Sequence, residues 1–195
     1  MKKLIVSIII LMIGICFTPA IFSQSDATYK GRNVLARKEI LKFQSLLNKY
    51  RRQNRLDTLK YADNIHLLSD KRIQTIHEKV NNVPYSELAK RQVYYFHTGL
   101  YVDVLGFQID NQDNQENQIA NVSENIAYFP YTTAERVNNT IDSISILIMN
   151  GWKNSKPHNA ILLSDMHDSF TLSAFHFDYG IIVCYLGFYG IRDEK

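Results

Sequence analysis

Two imidazoles and a carboxylate are a sufficient ligand set for a divalent cation such as Zn2+, whose catalytic sites commonly combine three protein ligands with one water. His97, Glu124 and His158 supply that set. A second chemistry is available at Ser155 and His158, three positions apart, as a hydroxyl nucleophile and its imidazole base, with Glu124 to orient the ring. Neither pattern has a diagnostic spacing. Among six histidines and 19 acidic residues, long and irregular intervals single out no particular His/Glu triple. The chain also has no Gly-x-Ser-x-Gly elbow and no His-Glu-x-x-His zinc helix. The same residues have plain structural readings. Glu124 can be a buried, paired carboxylate titrating together with a neighbouring imidazole, and His158 a backbone hydrogen-bonding residue at the start of a short helix. Of the other histidines, His66 and His77 read as exposed helix-face residues. His176 alternates with Phe170, Leu172 and Ala174 and is the additional candidate for an inward position.

The elements that must position these residues follow from apolar periodicity. Ile40, Phe43, Leu47 and Tyr50 recur at helical spacing, and Ala62, Ile65, Leu68 and Ile76 predict a second helix. Asn81 to Pro84 breaks that pattern, and Ser86 with Glu87 starts a helix running through Leu88, Val93 and Tyr94 to His97. Residues 108–118 are Asn, Gln, Asp and Glu with few apolar side chains, the composition of a surface loop. Ile119 to Phe129 predicts a strand carrying Glu124 and ended by Pro130. Thr132 and Glu135 have capping-box spacing for a helix whose apolar face is Val137, Ile141, Ile144, Ile148 and Trp152. Ser169 to Phe177 and Gly180 to Phe188 form a terminal hairpin, with Cys184 reading as a buried small apolar residue. Helices, a strand, a long helix and a hairpin in that order predict an α+β fold, a three-layer α-β-α sandwich around a small antiparallel sheet.

Lys2 and Lys3 precede an apolar run from Leu4 to Phe17, followed by small and polar residues to Gln24. This reads as a secretory signal over residues 1–23, followed by a polar leader over 24–34. The run is shorter than the ~20 residues of a membrane-spanning helix, so no permanent span is expected after cleavage. Ile15 before Cys16 is too bulky for a lipoprotein box. Signal removal leaves Cys184 as the sole cysteine, which excludes an internal disulfide, and takes the formal charge from +3 to +1. Such a charge excludes a nucleic-acid signature, and the cluster Lys49-Tyr-Arg-Arg52 fits a solvated helix end. Roughly 170 residues remain, enough for one monomeric domain with a sizeable core, over residues 35–190, and a short tail, 191–195.

Three stretches carry a resemblance. Tyr95-Phe-His-Thr98, Ser123-Glu-Asn-Ile-Ala127 and Trp152-Lys-Asn-Ser-Lys-Pro-His158-Asn-Ala-Ile-Leu162 resemble the bacterial, SCP-like branch of the CAP superfamily, named for cysteine-rich secretory proteins, antigen 5 and pathogenesis-related 1 proteins. Asn48 with Arg51 or Arg52 fits that family's opening pattern. The resemblance implies the α-β-α sandwich, and a surface cleft into which His97, Glu124 and His158 converge, with a divalent cation such as Zn2+ as its cofactor. Larger eukaryotic family members place a second Glu where this chain has Ser155, and the Gly that normally precedes the family's Glu is Ser123 here. The missing disulfides of eukaryotic members point to a bacterial secreted, periplasmic or envelope protein. Function varies widely within such a fold. The favoured reading is a binding or interaction module for a lipid, sterol, peptide or envelope partner. Tyr94, Tyr95, Phe96, Tyr101, Tyr128, Phe129 and Tyr131 are available to line its groove or to fill the core. The alternative is a metal-dependent or Ser/His hydrolase using the same cleft.

Overall fold

The structure, a computed structural model, describes residues 35–80, 83–91, 96–110, 118–130, 144–177 and 180–190. The signal, the polar leader, the capping box at Thr132 and Glu135, and the C-terminal tail therefore lie outside the described residues. No helix among the described residues is long and apolar enough to cross a membrane.

The first helix, α1 (Arg37–Gln53), buries Ile40, Phe43 and Leu47. Glu39 in its first turn and Arg51 and Arg52 in its last complement the helix dipole. Beyond it, a two-residue strand β1 (Lys60–Tyr61) precedes a 3-10 turn (Asp63–Ile65) that runs into α2 (His66–Val80). The segment before β1 is fixed by Asn48, whose amide donates to the Leu59 carbonyl at 2.9 Å and accepts from the Leu59 N–H at 2.9 Å. Next come α3 (Tyr85–Lys90) and α4 (Leu100–Asp110). The remainder is the strand β2 (Ile119–Pro130), helices α5 (Ile144–Lys153) and α6 (Lys156–Leu162), and the hairpin strands β3 (Ser169–Phe177) and β4 (Gly180–Gly190).

The sheet order among the described residues is β1-β3-β4-β2. Both β2 and β3 pair antiparallel with β4, as expected, while β1 joins β3 in parallel, which makes the sheet mixed. Strand alternation then divides the core into two. Phe170, Leu172, Ala174, Ile181, Val183 and Tyr185 pack under α1, α5 and α6 with Phe43, Leu47, Ile148, Trp152 and Leu162. On the other face, Phe175, Ile182, Cys184, Leu186 and Phe188 pack under α2 with Leu68, Ile73 and Ile76, joined by Phe96 and Phe107. The fold is thus the α+β, three-layer α-β-α arrangement. Cys184 is fully buried, and Trp152 is a core residue with its ring edge-on to Phe43 at 5.9 Å.

Two expectations need correction. Residues 108–110, expected in a surface loop, close α4, continuing the helix whose apolar face of Leu100, Val104 and Phe107 lies just before them. Gln108 is drawn back onto the sheet, donating to the Ile119 carbonyl at 2.6 Å. His66 and His77 are half-buried on α2, not exposed.

The Phe43, Trp152 and Tyr185 contacts tie α1 and α5 to the middle of the sheet. Trp152→Ala is expected to cost about 3–5 kcal/mol, read from the urea midpoint at unchanged m-value. A cost under about 1 kcal/mol would show that this ring does not hold the layers together.

Candidate functional site

The site is organised by a residue that no sequence pattern singles out. Arg72 on α2 is fully buried and its guanidinium points at the underside of β2. Its Nε donates to Glu124 Oε2 at 2.8 Å and its Nη2 to Glu124 Oε1 at 2.9 Å, the fork-to-fork geometry of a strong charge-assisted pair. Nη1 reaches Asp103 Oδ2 on α4 at 3.0 Å, and the remaining N–H groups meet the carbonyls of Thr98 at 3.1 Å and Phe96 at 2.7 Å. Burial acts to lower the Arg72 pKa, but the bonds and charge of Glu124 outweigh it and hold the guanidinium above its ordinary value. Asp103 is completed by the Thr75 hydroxyl at 3.0 Å.

Phe96 and Thr98 flank His97, so Arg72 fixes the backbone on both sides of that imidazole. His97 Nδ1 meets Glu124 Oε1 at 3.1 Å. An ionised carboxylate only accepts, so Nδ1 carries the proton, and Nε2 is the nitrogen left for other chemistry. The His97 side chain keeps 35% of its exposure, against 3% for Glu124.

His158 arrives from the opposite layer. β2 turns Glu124 toward α2, and Asn125 the other way, where its amide donates to the His158 carbonyl at 3.0 Å. Among the described residues β2 is an edge strand of the sheet, with Glu124 on one face and Asn125 on the other. Burial, and then the charge of His97, push the His158 pKa below its ordinary value. Ser155 is half-buried at the N-cap of α6. Among the described residues its hydroxyl makes no hydrogen bond to the His158 ring, and Glu124 is bonded to Arg72 and His97, not to His158.

His97 and Glu124 are therefore in contact, with Glu124 in the buried, paired role, while His158 is tied to β2 through the Asn125 amide. The donor set does not fit a resident cation. Both Glu124 oxygens accept from a guanidinium, which already supplies the positive charge a metal would bring. No group of three or more His, Cys, Asp or Glu side chains among the described residues is arranged to hold a metal ion.

Of the seven aromatic residues near these segments, Tyr94, Tyr95 and Tyr131 lie outside the described residues, as does the side chain of His176. Phe96 is buried against Tyr128, with ring centroids 6.2 Å apart, and Phe129 packs on the α1 side of the core. Tyr101 is the exception at 77% exposure, joined by Val102 and Leu105 on the outer face of α4. Next to it a groove of about 270 Å³ runs between Leu100, Tyr101 and Val104 of α4 and residues 119–122 of β2. Along the chain its lining begins three residues after His97 and ends two before Glu124. The apolar run from Leu100 to Phe107, broken only by Asp103 and Gly106, was its sequence signal; Arg72 had none, since a cation on a helix normally reads as a solvated face.

No protein-family profile matches the chain, and no curated protein does. Among solved structures it is similar to an outer surface protein from Borrelia burgdorferi, with a TM-score of 0.49 and 13% identity over 82% of this chain and 98% of that one. It is also similar to a cysteine-rich secretory protein from Staphylococcus aureus, with a TM-score of 0.43 and 12% identity. That alignment covers 77% of this chain and 38% of the other, so this chain spans well under half of that relative's length.

Two measurements check the geometry. Arg72→Met strands two buried carboxylates and is expected to cost about 3–5 kcal/mol in denaturant unfolding. Replacing all three charges together, Arg72→Met with Glu124→Leu and Asp103→Leu, should recover most of that loss, because no charge is then left unpaired. An equal loss in both variants would mean that packing and not charge is at stake. By ring NMR, His158 should titrate below 6.5, and His97→Gln should move its midpoint up without reaching 6.5, since burial remains. His158 accordingly contributes its full stability above 6.5, and that contribution is lost as pH falls from there through its lowered folded value, because the unfolded chain takes up the proton first.

Proposed function

We propose that this chain is a secreted or envelope CAP-like module that binds an amphiphilic partner, a lipid, sterol or apolar peptide, in the groove beside the His97 and Glu124 pair. The observation that carries this reading is the apolar surface where α4 crosses the start of β2. Tyr101, Val102 and Leu105 stay exposed there next to a groove large enough for part of an acyl chain or two side chains. The polar pair would orient the head of such a partner through His97 Nε2, and His158 would close the far side. The CAP-like reading is supported by the motif residues, by the three-layer arrangement and by the contact of His97 with Glu124. The hydrolase alternative, metal-dependent or Ser/His, is less well supported. It needs Glu124 as ligand or as orienter of His158, and Arg72 and His97 occupy that carboxylate.

The test is titration of residues 24–195 with a dansyl-labelled fatty acid, beside the exposed-face variants Tyr101→Ser and Leu105→Ser. Each buried side chain lost is expected to weaken binding about tenfold or more. Unchanged affinity in both variants rejects the groove. Stoichiometric zinc binding that is lost in a His97→Ala, His158→Ala double variant would instead favour the metal-dependent alternative.

A further inference from the structure

The turn that carries His97 is gripped by a second cation besides Arg72. Lys79 is half-buried in the last turn of α2, where a basic residue is favoured by the helix dipole alone. Its ammonium nevertheless crosses to the segment before α4 and donates to the Thr98 carbonyl at 2.6 Å, with Thr98 Oγ1 at 3.4 Å. That carbonyl also accepts from Arg72 Nη1 at 3.1 Å, so one backbone oxygen beside His97 is held by two positive charges. Gly99 makes room for both. A Cβ there would lie 2.8 Å from Lys79 Nζ and 3.8 Å from Arg72 Nη1, and its φ of 91° is in the left-handed region that disfavours a side chain. The Gly99 carbonyl in turn accepts from the Asp103 N–H at 3.1 Å and opens the first turn of α4. The grip on Thr98 therefore acts on His97 on one side and on the start of α4, with the groove residues Leu100 and Tyr101, on the other.

We propose that Lys79 is a positioning residue of the site: its ammonium, laid across Gly99, sets the Thr98 carbonyl and with it the direction of the His97 ring. The proposal rests on the binding reading above for its consequence, but not for its geometry. Charge points the same way. Arg72 alone faces two buried carboxylates, Glu124 and Asp103, and Lys79 brings a second positive charge to a carbonyl that Arg72 already holds. The direction of the ring decides its chemistry. Glu124 Oε1 accepts from Nδ1 only while the ring stays at the observed 3.1 Å, and that bond is what leaves the Nε2 lone pair to a partner. A neutral imidazole released from it prefers the opposite tautomer, with the proton on Nε2.

The experiment reads the His97 tautomer from the ring nitrogen shifts of residues 24–195 at pH 8, above the ordinary imidazole value. Loss of global stability alone does not move this signal. The wild type is expected to carry the proton on Nδ1, and Lys79→Met to lower the ratio of the Nδ1–H to the Nε2–H form about fivefold or more. Lys79→Arg, which keeps the charge and its donors, should restore most of that ratio. Gly99→Ala displaces the ammonium by an independent route and should shift the ratio in the same direction, with no further change when Lys79→Met is added. An unchanged ratio in Lys79→Met overturns the proposal, as does a wild-type ring protonated on Nε2 or a Lys79→Arg variant indistinguishable from Lys79→Met. In a second arm, dansyl fatty acid affinity should fall about threefold or more in Lys79→Met and recover in Lys79→Arg. Full affinity in Lys79→Met also overturns it. Failure of the wild type to bind the probe counts against the binding reading alone, and the tautomer then decides the proposal.

Discussion

The Arg72 guanidinium is the interaction on which the described site depends. It has five N–H donors and meets five acceptors: two oxygens of Glu124, one of Asp103, and the carbonyls of Phe96 and Thr98. A buried charge is tolerated only when paired and fully hydrogen-bonded, and here the full complement comes from three places. α2 supplies the cation, β2 and α4 supply the anions, and the turn that bears His97 supplies the carbonyls. The position of His97 is consequently not a property of its own segment. It is the place left for an imidazole once the carbonyls on either side of it have been pulled onto α2.

A second buried arginine does the matching work on the other side of the sheet. Arg51 ends α1 and donates to the carbonyls of Asp57 at 2.7 Å, Leu162 at 2.8 Å and Ser164 at 2.9 Å. It has no carboxylate fork like that of Arg72, and burial lowers its pKa. Its contacts close the C-terminal end of α6, which sets where that short helix lies and so where His158 is offered to the sheet edge. Between the two layers, β2 works as a two-sided frame. Glu124 faces the Arg72 side and Asn125 the Arg51 side, one residue apart, and the pleat alone brings elements from both layers to a single edge.

A bulge breaks the alternation of β2 at Asn121, beside Gly187 of β4, where an added Cβ would meet the His167 ring. The outer face of α4 stays apolar and exposed at Tyr101, Val102 and Leu105, while the His97 ring is held by Glu124.

What the sequence determined by itself is the part of the structure that depends on neighbours along the chain. The alternation in residues 169–188 specifies a hairpin buried on both faces, the spacing of Ile40, Phe43 and Leu47 specifies α1, and the helix through Ile144, Ile148 and Trp152 specifies a core-facing side. These are local periodicities set by the pleat and the helical turn. The α+β layering followed from them, and so did the burial of Cys184 and Trp152. The parallel β1, with two residues, was too short to have a period, and α4 was hidden where a polar run overlapped its end. What only the tertiary structure decided is the pairing of charges. The partners of Arg72 stand 52 and 31 positions away, and no local pattern distinguishes a lysine-like solvated cation from one destined for burial. Desolvation, which sets the protonation of His158 and His167 and the value of each ion pair, exists only once the layers have closed over them.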